Sequence, residues 1–276
     1  MTLRADFYDR PLRYTVTWRC PPTWRLRPSN NWGTTSIPSA SSSWDGSIWL
    51  WNLHGLHPHG TSLTTHAGDS GAMAFSPVGN IPAAAGLHDA TVQFWDVTKR
   101  RPLGAPLAGS TGVVERLAFS PDGTVLAATA DDGTLRLWNV RRRLPMDPPL
   151  ATGISPKSTL AFSPDGKTPA SRGIDGDIRL WSAADRRILG VPLHGHTKEV
   201  LSLACSPDGT LPASGSGDNT VRLWDVALHR QDGAPLKGHS GSVWDVAFSP
   251  DGALPASGSS DGTVRLWSVA YREQIG

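Results

Sequence analysis

The chain has 276 residues, a formal net charge of +2, 29 glycines and 23 prolines. So small a charge gives no argument for nucleic acid by itself, and two cysteines far apart and in no motif, Cys20 and Cys205, make neither a disulfide framework nor a zinc site and fit a reducing compartment. No apolar run reaches the length of a membrane span and the first residues hold no apolar secretory core, so a soluble, cytoplasmic chain with no membrane partner is expected.

Residues 1–36 read as an irregular segment, dense in tryptophan (Trp18, Trp24, Trp32), with only two recognisable strand patterns before Trp51. From residue 37 onward the chain is periodic. Trp51, Trp95, Trp138, Trp181, Trp224 and Trp267 lie 44, 43, 43, 43 and 43 residues apart, and each closes a short apolar run: IWLW, VQFW, LRLW, IRLW, VRLW, VRLW. A period of 40–45 residues holding several short strands predicts a β-propeller with one blade per repeat. The length admits six such periods and not seven. The expected organisation is therefore one all-β domain of six four-stranded antiparallel blades over 37–276.

Turn signals recur inside each period. Ser-Pro-Asp-Gly stands at 120–123, 163–166, 206–209 and 249–252, with a damaged copy, Ser-Pro-Val-Gly, at 76–79. Pro pre-sets φ at the second position of such a turn and Gly tolerates positive φ. An Asp stands six residues before every marker Trp: Asp45, Asp89, Asp132, Asp175, Asp218 and Asp261. The fifth repeat shows the whole unit. Val200 to Cys205 reads as a first strand, Leu211 to Ser216 as a second and Thr220 to Asp225 as a third. Ala227 to Leu236 reads as a polar turn and one fourth strand ending in Ala-Pro-Leu. Pro82, Pro169, Pro212 and Pro255 fall near the start of the second strand, which is expected to begin after them.

The Gly-His near the repeat start, the Ser-Pro-Asp-Gly turn, the D-x-T-V-R-L-W-D ending and the period together resemble the WD40-repeat family over roughly 37–276. Linkers of the Gly-Ala-Pro-Leu kind are similar to bacterial versions. The resemblance implies a ring of blades, usually seven, used as a rigid platform for protein partners without catalysis. It also implies a buried network in each blade of His, Ser or Thr, turn Asp and Trp. By matched position, blade five offers His196, Ser214 or Ser216, Asp218 and Trp224; blade six offers His239, Ser257 or Ser259, Asp261 and Trp267. Blade two offers His66, Asp89 and Trp95, blade three Asp132 and Trp138, and blade four Asp175 and Trp181. Blade three has Gly109-Ser110 in place of Gly-His and Ala128 and Ala130 at the Ser positions; blade four has Gly153 aligned with the His and Lys157 on its inner strand, so both are expected to be less well anchored. Residues 11–18 could close the ring; alternatively the ring stays open, which favours self-association, or the chain is part of a larger array.

Several constellations compete for a functional role. The histidines His54, His57 and His59 match no zinc spacing and have no Cys beside them, so no metal or other cofactor is assigned. Asp and His recurring in blade after blade argue against an active site, and no phosphate loop or nucleophile elbow is present, so no catalytic residue is assigned. The clusters Lys99-Arg100-Arg101, Arg141-Arg142-Arg143, Arg186-Arg187 and Arg230 follow the marker strands at one distance and belong on one rim, in the hairpins between third and fourth strands. They read first as solvated turns and second as a site for nucleic acid or an acidic protein. Positions that differ between repeats fall just after the apolar inner-strand residue: Glu115, Arg116, Leu201, Trp244 and Asp245 are the partner-binding candidates, with Trp244 as anchor or as packing against its neighbour. The expected function is a non-catalytic protein-binding scaffold or sensor, with the basic rim or a propeller hydrolase or lyase with a channel-mouth site as alternatives.

Overall fold

A computed structural model of the chain describes residues 15–17, 39–42, 47–52, 59–64, 70–77, 82–86, 90–96, 99–110, 112–151, 159–172, 175–210, 212–249 and 251–275. Among these there are 25 strands and no helix. The chain divides into two compact units, Met1–Gly109 and Ser110–Gly276.

The first unit carries two four-stranded antiparallel sheets. Blade one runs β1 (Thr15–Thr17), β2 (Ser39–Ser42), β3 (Ser47–Asn52), β4 (His59–Thr64). Thr15–Thr17 pairs with Ser39–Ser42 as the first strand of that sheet. Blade two runs β5 (Ser70–Phe75), β6 (Pro82–Gly86), β7 (Val92–Asp96), β8 (Arg101–Pro102).

The second unit carries four more sheets. Blade three is β9 (Val114–Phe119), β10 (Val125–Ala130), β11 (Thr134–Asn139), β12 (Leu144–Pro145) and β13 (Leu150–Ala151). Blade four is β14 (Leu160–Phe162), β15 (Pro169–Arg172), β16 (Ile178–Ser182) and β17 (Arg187–Ile188). Blade five is β18 (Val200–Cys205), β19 (Pro212–Ser216), β20 (Thr220–Asp225), β21 (Arg230–Gln231) and β22 (Leu236–Lys237). Blade six is β23 (Val243–Phe248), β24 (Pro255–Ser259) and β25 (Val264–Leu266), with an outer bridge from Trp267 to Gln274.

Two expectations change in detail. The fourth strand is two short pieces, not one: β21 and β22 both pair with β20, and Asp232–Pro235 bends away between them around Gly233 at φ 76°. Only a residue without Cβ takes that backbone cheaply, so the Gly breaks the strand. The second strands begin at the prolines and not after them, with Pro169, Pro212 and Pro255 opposite Phe162, Cys205 and Phe248. A strand's first residue tolerates the missing N–H.

The core lies between blades. On the third strands of blades three, four and five the alternation puts two aliphatics on one face and the Trp on the other. Ile178 and Leu180 of blade four cluster with Val200, Leu203 and Trp224 of blade five. Val221 and Leu223 of blade five cluster with Val243, Val246 and Trp267 of blade six. Leu135 and Leu137 of blade three meet Trp181 in the same way. Trp181, Trp224 and Trp267 therefore sit on the aliphatic face of the preceding blade, and all five marker Trp with described side chains are buried.

The Ser-Pro-Asp-Gly turns are locked from within. Ser120 Oγ donates to Asp122 at 2.6 Å, the Asp122 carboxylate accepts from the Thr124 N–H, and Ser120 Oγ accepts from the Val125 N–H. The Ser-to-Asp bond recurs at Ser163, Ser206 and Ser249. Their glycines take φ between 70° and 77°, and Gly166, Gly209 and Gly252 lie against the preceding blade's turn: a Cβ on each would stand 3.3, 3.0 and 3.2 Å from Ser120, Pro164 and Pro207. The residue after each Trp has its own task. Asp96, Asn139 and Asp225 accept a backbone N–H three residues on, as do the Ser182 and Ser268 hydroxyls, and so cap the outer hairpin.

Replacing Trp224 by Ala removes the largest side chain from the cluster between blades four and five, and the expected cost is about 3–5 kcal/mol. Urea unfolding followed by circular dichroism checks this; a midpoint equal to that of the parent is the contrary result.

Candidate functional site

In blade five, Trp224 Nε1–H donates to Ser214 Oγ at 2.8 Å, Ser214 Oγ lies 2.7 Å from His196 Nε2, and His196 Nδ1 lies 2.8 Å from Asp218 Oδ2. Since Ser214 Oγ accepts from the indole, its own proton goes to His196 Nε2, which leaves Nδ1–H to donate to the carboxylate. Asp218 also accepts from the Thr197 N–H and the Thr220 hydroxyl. Blade six repeats the chain through Trp267, Ser257, His239 and Asp261 at 2.8, 2.8 and 2.9 Å. Both chains are buried, and every polar group in them has a partner, the condition under which a buried polar network costs little. The preceding Gly is needed as well: a Cβ on Gly195 would stand 3.0 Å from the Trp224 ring.

The network electrostatics follow from its bonds. Burial opposes ionisation of Asp218, but the Thr220 hydroxyl, His196 and the Thr197 N–H outweigh it and hold the carboxyl at about 2. The Thr263 hydroxyl holds Asp261 well below the usual range in the same way. Burial pushes the His196 pKa down despite its bond to Asp218, so the ring is neutral.

Other predicted residues fall elsewhere. Ser216 and Ser259 are not in these chains: each donates to a backbone carbonyl, Lys198 O or Gly241 O, and accepts the N–H of the turn Asp. They lie two residues beyond Ser214 and Ser257, past the reach of the indole. In blade four, Asp175 is bound not to a His but bidentately to Arg179, which holds it at about 2. Trp181 nonetheless has an acceptor, Ser171 Oγ at 2.9 Å. That residue escaped the sequence reading, though it stands ten before its Trp, as Ser214 and Ser257 do. In blade three, Asp132 accepts from the N–H and hydroxyl of Thr134, while the Val113 N–H goes to Asp131. The position ten before Trp138 is Ala128, and the buried Trp138 Nε1 has no hydrogen-bond partner; with Ala84 at the equivalent ladder position, opposite Gln93, neither has Trp95 Nε1. His66, Asp89, Gly153 and Lys157 lie outside the described residues, as do His54 and His57.

The inner-strand candidates share one backbone feature. Val200 pairs with Ser216 and Ser202 with Gly215, so Leu201 is the extra residue of a β-bulge. Val243 pairs with Ser259 and Asp245 with Gly258, so Trp244 is the extra residue in blade six. In blade three, Val114 pairs with Ala130 and Arg116 with Thr129, so Glu115 holds the same place. A bulge re-aims its side chain, and Trp244 is 47% exposed. It does not serve as buried packing. Asp245 differs: its carboxylate accepts from Ser202 Oγ of blade five at 2.9 Å and from the Val246 N–H, so it ties two blades. Arg116 is exposed and donates to its own strand at Glu115 O.

Lys99, Arg100, Arg101, Arg141, Arg142, Arg143, Arg186, Arg187 and Arg230 are all exposed, in the hairpins after the marker strands. Arg100, Arg143 and Arg186 take the left-handed conformation that closes these hairpins, at φ 53°, 56° and 54°. Among the described residues, no three of His, Cys, Asp and Glu are grouped to hold a metal ion.

Ala128→Ser restores the acceptor at a position opposite Arg136, as Ser214 is opposite Arg222. It should stabilise by about 0.5–1.5 kcal/mol, whereas Ser214→Ala should cost about 1–3 kcal/mol; urea midpoints of the two variants decide. The network also sets a pH dependence. His196, shifted down, takes a proton more readily unfolded, so stability falls as pH drops below about 6.5. Asp218, at about 2 folded against 3.8, adds a loss as pH falls from about 4 towards 2. A urea midpoint constant from pH 7 to pH 3 contradicts both.

No curated protein matches the chain. The sequence model of the family described as WD domain, G-beta repeat matches residues 102–139, 187–225 and 231–268. The three segments end one residue after Trp138, Trp224 and Trp267, so they include the two complete Trp-Ser-His-Asp chains. The chain carries WD40 repeats at these three positions.

Proposed function

We propose that this chain is a non-catalytic scaffold or sensor that binds a protein partner through the bulged residues of its inner strands, with Trp244 as the anchor. The observation that carries this reading is the exposed indole at the bulge of β23. Ordering an aromatic on a strand that is already rigid costs little conformational entropy, and buried aromatics dominate binding energy. The strand is rigid because Asp245 is tied to Ser202 of blade five, while Val243 and Val246 are buried. Leu201 and Glu115, in the equivalent bulges, give each blade a different contact on one scaffold, which is how a repeat protein varies specificity without altering its fold. On this reading 37–276 work as one propeller domain and 1–36 lead into it. Among the described residues no helix is long and apolar enough to cross a membrane, and the site proposed for the partner is cytoplasmic.

The basic hairpins support a second reading, an acidic protein or nucleic acid held on the rim. All nine cations are exposed, but each hairpin is closed by its own backbone and cap without an interleaved aromatic, so the bulge surface is preferred.

Trp244→Ala should leave the circular dichroism spectrum and melting temperature within a degree or two of the parent and reduce recovery of bound protein from the native host lysate at least tenfold. Loss of the fold would make Trp244 a packing residue. Unchanged recovery, with loss in Arg141→Glu/Arg142→Glu, would move the site to the rim.

A further inference from the structure

The outer hairpins of blades three and four carry cations that the fold does not require. Closing each hairpin takes one residue with a left-handed backbone: Arg143, Arg186, His229 and Arg272, at φ between 49° and 58°. Two places earlier stand Arg141 in blade three and Ala184, Ala227 and Ala270 in blades four to six; one place earlier stand Arg142, Asp185, Leu228 and Tyr271. The hairpin therefore forms with or without a charge at either place. Arg141, Arg142, Arg143, Arg186 and Arg187 are all exposed. Asp147 lies 3.8 Å from Arg136 and Asp185 3.9 Å from Arg187, so the excess on these two hairpins is positive. In blades five and six it is not: Arg272 is bound to Asp232, and Glu273 offsets Arg230.

Beside the cations stand exposed aliphatics. Leu144 follows Arg143 and is 59% exposed, Ile188 follows Arg187 and is 39% exposed, and Val191 is 62% exposed. The two hairpins are neighbours: Met146 of blade three packs on the cluster that holds Trp181 and Ala183, at the root of the blade-four hairpin. Both are fixed. The Arg143 N–H donates to Asn139 O and the Arg186 N–H to Ser182 O, while Asn139 Oδ1 accepts from the Arg142 N–H. Arginines and aliphatics thus form one preordered patch.

The chemistry of the patch selects its occupant. All five cations are arginines, whose planar fork matches phosphate oxygens. Nucleic acid would stack its bases on aromatic side chains, and 139–150 and 182–193 hold none. Nor has a simple polyanion any use for Leu144, Ile188 and Val191. An anionic bilayer presents phosphates at its surface with hydrocarbon just beneath, and it yields to projecting hairpins where a folded partner would need a matching hollow. The patch also lies away from Trp244. The first and third connections of an antiparallel blade share an end, and the Val140 N–H to Thr124 O and Ala183 N–H to Lys167 O bonds join each hairpin to its Ser-Pro-Asp-Gly turn. The carboxylates of those turns, Asp122 and Asp165, are bound by Ser120 and Ser163, and Lys167 lies 3.9 Å from Asp165. Trp244 follows Val243 at the other end of its inner strand.

We propose that the outer hairpins of blades three and four dock this chain on an anionic phospholipid surface, with the arginines on headgroup phosphates and Leu144, Ile188 and Val191 at the edge of the acyl layer. The contact is peripheral and needs no spanning helix. It leaves the Trp244 end of the blades facing away from the lipid, and it does not depend on the Trp244 reading.

The test is flotation of the full chain with vesicles of phosphatidylcholine, with and without about one-third phosphatidylserine. The expected result is binding to the anionic vesicles only, weakened by added salt. Arg141→Glu/Arg142→Glu should lower the partition coefficient by about tenfold while the circular dichroism stays that of the parent. If that variant does not fold, Arg142→Gln/Arg187→Gln should give a loss in the same direction. Leu144→Asn/Val191→Asn, which leaves the charge unchanged, should lower vesicle binding by about threefold without changing retention on a polyglutamate resin. Trp244→Ala should bind the vesicles like the parent. A parent that floats with neither vesicle, or equally with both, overturns the proposal. So does vesicle binding unchanged in the Asn variant, because the patch is then a site for any polyanion. A loss in Trp244→Ala equal to that in the Glu variant overturns it too, because the lipid is then at the other end of the blades.

Discussion

An indole buried between two sheets has to place one N–H, and much of this chain is arranged around that need. The Trp ring supplies the largest apolar surface between consecutive blades. Its N–H, enclosed with it, costs free energy unless an oxygen stands in reach. A Ser ten residues earlier meets the need, because antiparallel pairing brings that strand position beside the Trp strand. The Ser hydroxyl then has a proton to place, which calls for His, and the His N–H calls for Asp. The Asp in turn binds the N–H after the Gly-His and the Thr that opens the third strand. One buried N–H thus fixes the loop entering the blade, its second strand and its third.

The incomplete blades separate packing from polar satisfaction. Trp138 is as buried as Trp224, though Ala128 offers it no acceptor. Apolar burial alone is therefore enough to seat the ring, and the polar chain adds order to the surrounding loops. Blade four stands between the two: Ser171 satisfies the indole, while Asp175 is diverted to Arg179. Where the chain stops short, the loop is held by other means, as Asp131 holds the Val113 N–H in blade three.

The same repeat logic organises the surface. Residues facing the next blade must be alike from repeat to repeat, because every interface has the same shape. The extra residue of an inner-strand bulge faces no such demand, so Glu115, Leu201 and Trp244 differ. Shared interfaces and variable bulges together let the bulge residues differ while the packing between blades four, five and six stays the same.

Much of this was legible in the sequence. The 43-residue period, the strand types and the turns follow from local chemistry, which repeats whatever its surroundings, and the Trp, His and Asp partners from the family resemblance. The bulges did not, since a bulge is a relation between two strands and leaves no mark on either alone. Nor did the choice of Ser214 over Ser216: both are small hydroxyls on one strand, and only the register with the Trp strand selects between them. The role of Asp245 depended on a side chain 43 residues away on another sheet. Sequence determines which face of a strand is apolar; only the tertiary structure decides which sheet lies against it.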